Sequence, residues 1–268
     1  MGKHEKRTAK LIGLLQSAER LDIATVVNTL KISEATARRL FTLLENEGKV
    51  IRIHGGVRLA PELEYDYSFR MLASRRKEQK TAIGEAATDL VGNADRLFLD
   101  SGTTILRFAE ALSRKIRAGD LKGISVVTNS LSYIETLSDC CKVILTGGEI
   151  RTERRDVCGS IAEKNLLQYH FDKVFLGADA INLKTGFMTS DEKTAEICRI
   201  AIKNSDQAFV LADSEKFNRK SFVSYAEIDN IREIITDGNL DKKTRTSFEK
   251  KGVKIRSSKV RKFESAVH

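Results

Sequence analysis

The chain has 268 residues, 41% of them hydrophobic, and a formal net charge of +9. That apolar share can bury a sizeable core and excludes a disordered chain, while the length allows two domains, one of them small. No apolar run approaches the ~20 residues that span a bilayer, and MGKHEKRTAK at the start has no apolar signal core, so no membrane partner and a cytoplasmic location are expected.

The charge is unevenly placed. Residues 1–60 carry 11 Lys/Arg against 6 Asp/Glu, residues 239–268 carry 10 against 3, and the stretch between carries 25 against 28. Basic ends and a neutral middle are expected where the ends meet a polyanion and the middle does other work. For the tail, a frayed solvated terminus and an auxiliary phosphate contact both remain open. Cys140, Cys141, Cys158 and Cys198 lack metal-ligand spacing, and adjacent cysteines do not suit a disulfide, so they read as small buried residues, with no metal and no cofactor implied.

The first helix spans about 6–18, with Leu11, Leu14, Leu15 and Ala18 on one side. Asp22 can cap a short helix whose Ile23, Val26, Val27 and Leu30 share a face, and only Lys31, Ile32 and Ser33 precede the next helix. There Ser33 is an N-cap, and Ala37, Leu40, Phe41 and Leu44 fall at i, i+3, i+4, i+7. Thr36, Arg38, Arg39 and Thr42 point elsewhere. Gly48 should end the helix as a positive-φ residue. Val50, Ile51 and Ile53 have strand character, and Gly55-Gly56 can turn the chain back toward Val57 and Leu59. Two short helices, a tight turn and a hairpin make a winged helix-turn-helix, against the alternative of a small helical bundle with solvated arginines.

Thr36-Ala37-Arg38-Arg39, then Leu44-Glu45, Gly48, Arg52 and His54-Gly55-Gly56, resemble the DNA-binding signature of the DeoR family of bacterial transcription regulators. The family usually has Ile, Asp and Leu where this chain has Ala37, Leu40 and Phe41. As a DNA reader, this segment would send Thr36, Arg38 and Arg39 to base edges or phosphates of the major groove. Arg52 and His54 would reach the backbone or minor groove, with Ser33, Thr42, Gly55 and Gly56 completing the face.

Pro61 opens the polar stretch PELEYDYSF, the expected boundary, and Arg75–Lys80 reads as a solvated helix face or linker. The predicted organisation is therefore 1–60 for the winged helix, 61–80 for a linker, 81–240 for an α/β domain and 241–268 for a basic C-terminal segment. A helix follows with Ile83, Ala86, Ala87 and Leu90 toward a core. Then short apolar runs alternate with helices: strands at 96–100, 124–128, 142–146, 173–177, 208–213 and 232–237, with helices near 103–115, 131–137 and 192–203. This pattern predicts a mainly parallel sheet covered on both faces.

Polar residues and glycines gather just past these strands, where ligands bind in open α/β sheets. They are Asp100-Ser101-Gly102-Thr103-Thr104, Thr128-Asn129-Ser130, Thr146-Gly147-Gly148, Gly177-Ala178-Asp179 and Asp213-Ser214-Glu215-Lys216. Ser and Thr also cap helices that bind nothing, but several convergent strand ends argue for a pocket. Lys216 could supply positive charge, and the amides around Gly102–Thr104 and Gly147–Gly148 could cradle phosphate oxygens. Asp100, Asp179 and Glu192 could accept hydrogen bonds from hydroxyls. A small hydroxyl-rich phosphate ester satisfies both halves, and no nucleotide-binding glycine motif is present.

LDSGTT, VVTNS, LTGGE, DKVFLGAD and LADSEKF are similar to the effector-sensing domain of DeoR-family regulators. The resemblance implies a fold like that of sugar-phosphate isomerases and a phosphorylated-sugar effector lined by Asp100, Gly102, Thr103, Thr104, Asn129, Asp179 and Lys216. It implies a repressor of sugar-metabolism genes that binds duplex operator DNA as a homodimer or homotetramer, and no enzyme. The alternative is an isomerase-like sugar-phosphate enzyme using Asp100, Asp179, Glu192 and Lys216.

Overall fold

The structure, a computed structural model, describes residues 3–18, 20–47, 49–53, 55–59 and 69–258. It divides into two compact units, Met1–Arg75 and Arg76–His268.

In the smaller unit, α1 (Lys3–Ser17) leads to β1 (Leu21–Asp22), α2 (Ile23–Leu30), α3 (Glu34–Asn46), β2 (Val50–Ile53), β3 (Gly56–Leu59) and α4 (Phe69–Ser74). The expected caps form. The Asp22 carboxylate accepts the Thr25 amide at 2.7 Å, and the Ser33 hydroxyl accepts the Thr36 amide at 3.3 Å. Lys31 takes the left-handed conformation that ends α2. The stripe Ala37, Leu40, Phe41 and Leu44 is buried, packed with Leu11, Leu15, Val26 and Ile32. Strand order β1-β3-β2 makes a three-stranded wing, one strand more than expected, because Leu21–Asp22 pairs with β3. A Cβ on Gly56 would lie 2.2 Å from the Leu21 carbonyl oxygen, so this glycine is set by that pairing. The expected helix stop at Gly48, and His54, lie outside the described residues, as do residues 61–68 of the expected linker; the rest of that span holds α4 and the start of α5.

The larger unit opens with α5 (Lys77–Ala87), followed by β4 (Arg96–Leu99), α6 (Thr103–Arg117), β5 (Ser125–Thr128), α7 (Ile134–Ser138), β6 (Lys142–Leu145), β7 (Glu149–Arg151), β8 (Asp156–Cys158) and α8 (Ser160–Leu166). Then come β9 (Lys173–Leu176), β10 (Ala180–Asn182), β11 (Gly186–Thr189), α9 (Glu192–Lys203), β12 (Ala208–Leu211), β13 (Val223–Ala226), β14 (Glu233–Asp237), α10 (Lys242–Glu249) and β15 (Lys254–Ser258). Seven strands pair in the order β15-β14-β12-β9-β4-β5-β6, every neighbouring pair parallel. Both faces are apolar because helices cover both. Phe98, Val174, Leu176, Val210 and Ile234 face one core, with α8, α9 and α10. Leu97, Leu99, Phe175, Phe209 and Leu211 face the other, with α5, α6 and α7.

Strand order reverses between β4 and β9: β5 and β6 build outward on one side, β9, β12, β14 and β15 on the other. The carboxyl ends of β4 and β9 therefore part company and leave a crevice. The six expected strands are present.

Three expectations change. Residues 241–258, expected as a basic segment beyond the domain, form α10 and an edge strand of the main sheet. Their charge hides alternation: Val253 and Ile255 are buried, while Lys254 and Arg256 both reach the buried Glu233. The charged run 75–80 is not simply solvated, since Arg76 is held by Glu215 at 2.5 Å and Asp237 at 3.1 Å, and Lys80 is only 5% exposed. The hairpin β7–β8 and the antiparallel set β10-β11-β13 had no clear periodicity because each strand has three or four residues.

α5 and α6 cross with bare backbone between them. A Cβ on Gly84 would sit 2.6 Å from the backbone of Arg107 and Phe108. Gly84→Ala should therefore lower stability by about 1–3 kcal/mol through overpacking, although alanine is the better helix former by ~1 kcal/mol. Urea unfolding of the variant beside Glu85→Ala, at an exposed position of the same helix, checks this; an unchanged or raised midpoint for Gly84→Ala refutes it.

Candidate functional site

In the smaller unit, burying Ala37, Leu40, Phe41 and Leu44 turns Arg38, Arg39 and Thr42 outward, where all three are exposed. Thr36 is half-buried beside the cap, its hydroxyl 2.9 Å from that of Ser33. The wing is laced to this helix: the Arg52 amide donates to Glu45 at 3.3 Å, and its guanidinium donates to the Thr42 hydroxyl at 3.4 Å. Arg52 is thereby brought to the outer side of α3. Arg38 pairs with Glu34 one turn back at 2.6 Å, an exposed contact worth only ~0.3–0.5 kcal/mol and readily exchanged for a phosphate. Gly55 turns the hairpin at φ 78° and is exposed, whereas Gly56 is buried and answers to packing.

In the larger unit, Asp100 lies at the end of β4, 4% exposed. Its carboxylate accepts the Gly177 amide across the switch point at 3.0 Å, and its other oxygen has no hydrogen-bond partner among the described residues. Burial pushes this carboxyl up to about 6, against the amide hydrogen bonds of Gly177 and Ser101 and with help from Asp156 and Asp179. Gly102 caps α6 without a side chain, which leaves the first-turn amides of Thr103 and Thr104 for another acceptor. Into this turn comes Lys80, whose amine donates to the Thr103 hydroxyl at 2.9 Å in a buried position. Lys216 is half-buried past β12 and makes no ion pair among the described residues.

Asp179 is fixed past β9 by the Ser190 amide at 2.8 Å and the hydroxyls of Ser190 and Thr189 at 2.9 and 3.2 Å. Thr128, Asn129 and Ser130 are fully buried. The Thr128 hydroxyl donates to the Leu99 carbonyl at 2.7 Å and Asn129 donates to that of Val157 at 3.4 Å, so this triplet supports the crevice from beneath. The Asn129 side-chain oxygen has no hydrogen-bond partner among the described residues. Gly147 and Gly148 open the β7–β8 hairpin, and a Cβ on Gly148 would meet the Cys158 carbonyl at 2.5 Å, which accounts for that glycine by packing. The hairpin returns Asp156 to the Ser101 hydroxyl at 3.2 Å. Glu192 stands in the first turn of α9, exposed.

Sequence reasoning missed Lys80, Arg151, Asp156 and Ser190. Lys80 was legible: it occupies the first place of the buried stripe Lys80, Ile83, Gly84 and Ala87, where a lysine is expensive unless it has work to do. Arg151 grips Asp156 with two nitrogens, at 2.8 and 2.7 Å, and Asp191 with the third at 2.6 Å. Burial works against the Arg151 charge, but these carboxylates raise its affinity for the proton on balance. Asp191, despite burial, is held at about 2 by Arg151 and Thr194. Nothing in the residue order joins these three.

A winged helix with an arginine-bearing outer face, beside a parallel sheet with a polar crevice at its switch point, is the make-up of a two-unit transcription regulator. Residues 7–62 match the DeoR-like helix-turn-helix domain and residues 75–238 the DeoR C-terminal sensor domain. The chain belongs to the DeoR family of transcriptional regulators. The HTH-type transcriptional repressor GlcR of Bacillus subtilis is 31% identical over 87% of this chain and 88% of its own length. The regulator GlpR of Haloferax volcanii is 29% identical over 93% and 96%, and a lactose phosphotransferase system repressor of Streptococcus mutans 30% over 90% and 95%. Among solved structures, ribose 5-phosphate isomerase from Plasmodium falciparum aligns over 52% of each chain at 14% identity and a TM-score of 0.39. eIF2B delta from Chaetomium thermophilum covers 87% of this chain and 71% of its own at 13% and 0.42. Among the described residues no helix is long and apolar enough to cross a membrane.

The Asp100 shift carries a sign. Its folded value of about 6 lies above the unfolded value near 3.9, so the folded state holds this proton more tightly. The contribution is present below about pH 4 and is lost as pH rises through 6, on the order of 3 kcal/mol. Asp100→Asn keeps an acceptor for the Gly177 amide and removes the titration. Relative to the parent, the variant should gain unfolding free energy between pH 4 and 6 and hold the gain above; urea unfolding across pH 4–8 measures it, and parallel curves contradict it.

Proposed function

We propose that this chain represses sugar-metabolism genes by binding operator DNA through α3 and the wing, and that a phosphorylated sugar in the crevice controls that binding. The observation that carries the reading is Lys80: a buried ammonium directed at the uncapped first turn of α6, next to a buried aspartate with an unpaired oxygen. Cation and amides suit a phosphate, with Lys216 as a second charge. Asp100, Asp179 and Glu192 suit hydroxyls, and Ser101, Gly102, Thr104, Asn129, Ser130, Gly147 and Gly148 shape the surroundings. The names of GlcR and the lactose phosphotransferase system repressor point the same way. The ligand shifts a population between DNA-competent and incompetent states by binding one more tightly. Operators of such proteins are commonly two-fold, so the binding species is a homodimer or homotetramer, which sedimentation of the DNA-bound protein would count.

At the DNA end, Arg38→Ala and Arg39→Ala should each weaken operator binding about five- to hundredfold, as expected for ~1–3 kcal/mol per base contact. If the lost contact is instead to phosphate, the salt slope falls by about one and all sequences suffer alike. Gel shifts at several salt concentrations separate the two, and unchanged affinity in both variants rejects the interface.

At the crevice, Lys80→Met should abolish the thermal shift that hexose monophosphates give the parent and leave operator binding intact but unresponsive. A variant that still releases DNA on adding the ligand disproves the role of Lys80. The one observation favouring an isomerase-like enzyme is the raised Asp100 carboxyl, suited to a base; interconversion of aldose and ketose phosphates by the purified chain would establish that reading instead.

A further inference from the structure

Beside the crevice, Ser190, Asp191, Glu192 and Lys193 line, with Arg151 and Phe222, an open depression of about 470 Å³. Ser190 joins it to the crevice, since its amide and hydroxyl both donate to Asp179. A ligand whose phosphate sits at Thr103 and Lys80 would extend past Asp179 into this space. Its lining states what that far end can be.

The buried cation here, Arg151, is committed. All three guanidinium nitrogens of Arg151 are bound, to Asp156, Asp191 and the Thr194 hydroxyl, and the side chain is only 15% exposed. Lys193 pairs with Glu149 at 2.6 Å. Against these two cations stand the carboxylates of Asp191 and Glu192 in the lining, with Asp156, Glu149 and Asp179 directly behind. A second dianionic group would enter an excess of negative charge that the exposed Lys193 alone does not offset, whereas hydroxyls would find acceptors. Phe222 is 73% exposed, more than any other large hydrophobic among the described residues. Its ring forms part of the wall without packing into the core. An aromatic face opposite carboxylates is a surface for the C–H side of a sugar ring whose hydroxyls point the other way.

We propose that the ligand is a sugar monophosphate bound in its ring form, with Phe222 as the platform for the ring and no second anionic group. This rests on the phosphate reading given above and adds the specificity of the far end. Phe222 is a specificity residue here, and Arg151 a positioning residue that holds Asp156 and Asp191 in place.

Isothermal titration of the full chain tests it with glucose 6-phosphate, fructose 6-phosphate, fructose 1,6-bisphosphate, 6-phosphogluconate, glycerol 3-phosphate and inorganic phosphate. The tightest ligand should be a ring-forming monophosphate, at least about tenfold tighter than the bisphosphate or the phosphogluconate. Phe222→Ala should weaken that ligand about five- to tenfold and leave inorganic phosphate and glycerol 3-phosphate unchanged, with Phe222→Trp restoring the ring-forming ligand. A bisphosphate or phosphogluconate that binds as tightly, or a Phe222→Ala loss equal for ring and open-chain esters, overturns this inference while the phosphate reading stands. If no phosphate ester binds, both fall together.

Discussion

At the middle of the large sheet, the carboxylate that ends β4 accepts an amide proton from the residue that follows β9. These two strands are neighbours in space but depart in opposite topological directions; the last ladder bond between them runs from the Asp100 amide to the Phe175 carbonyl at 3.1 Å, and the carboxylate adds one tie beyond it. Asp100 supplies that tie from a position almost without solvent. The cost is a carboxyl whose charged form is disfavoured by burial. The gain is a crevice whose two lips, Gly102 and Gly177, both face the same carboxylate oxygen. Ser101 extends the arrangement to Asp156 and Arg151, so one polar network runs from the first turn of α6 to the start of α9.

Much of this was visible in the residue order. Apolar runs of four to six residues marked the central strands because strands buried on both faces leave no room for polar alternation. The stripe in α3 was equally plain because its period is that of a helix packed on one side. Strand-end motifs pointed to the switch point, where Asp100, Gly102 and Asp179 stand past the ends of β4 and β9. What stayed hidden has common physical causes. β15 carries Lys254 and Arg256 on an edge, where charge is tolerated and even useful against unwanted pairing, so composition suggested a solvated tail. Arg76 sat in a run of six polar or charged residues, and only its tertiary partners distinguish it from the solvated members of that run, whereas Lys80 in the same run is set apart by its place at the head of a buried helical stripe. Arg151, Asp156 and Asp191 come together across a hairpin and a helix start that no local spacing links.

The two units use glycine and arginine to different ends. In the small unit the arginines of α3 are left exposed and weakly paired, which keeps them available. In the large unit Arg76 and Arg151 are each enclosed by two or three carboxylates and hold loops in register. The same residue type is thus left weakly paired at the surface in one setting and serves as a clamp in the other, and exposure separates the two. Gly56 and Gly148 likewise stand inside strings that resemble binding motifs, yet each is explained by a carbonyl oxygen that would collide with a side chain. A motif can be specific for a family because the fold requires it, without every member touching a ligand.

The passage of α5 over α6 at Gly84 has a mechanical corollary. Where helices meet through side chains, a small displacement is absorbed by rotamer adjustments; where backbone meets backbone, as between Gly84 and the Arg107–Phe108 peptide, there is no such slack. α5 begins one residue after Arg76, the first residue of the larger unit, and α6 begins at the crevice. At that crossing any added bulk has to displace main chain, since no side chain stands between the two helices to give way.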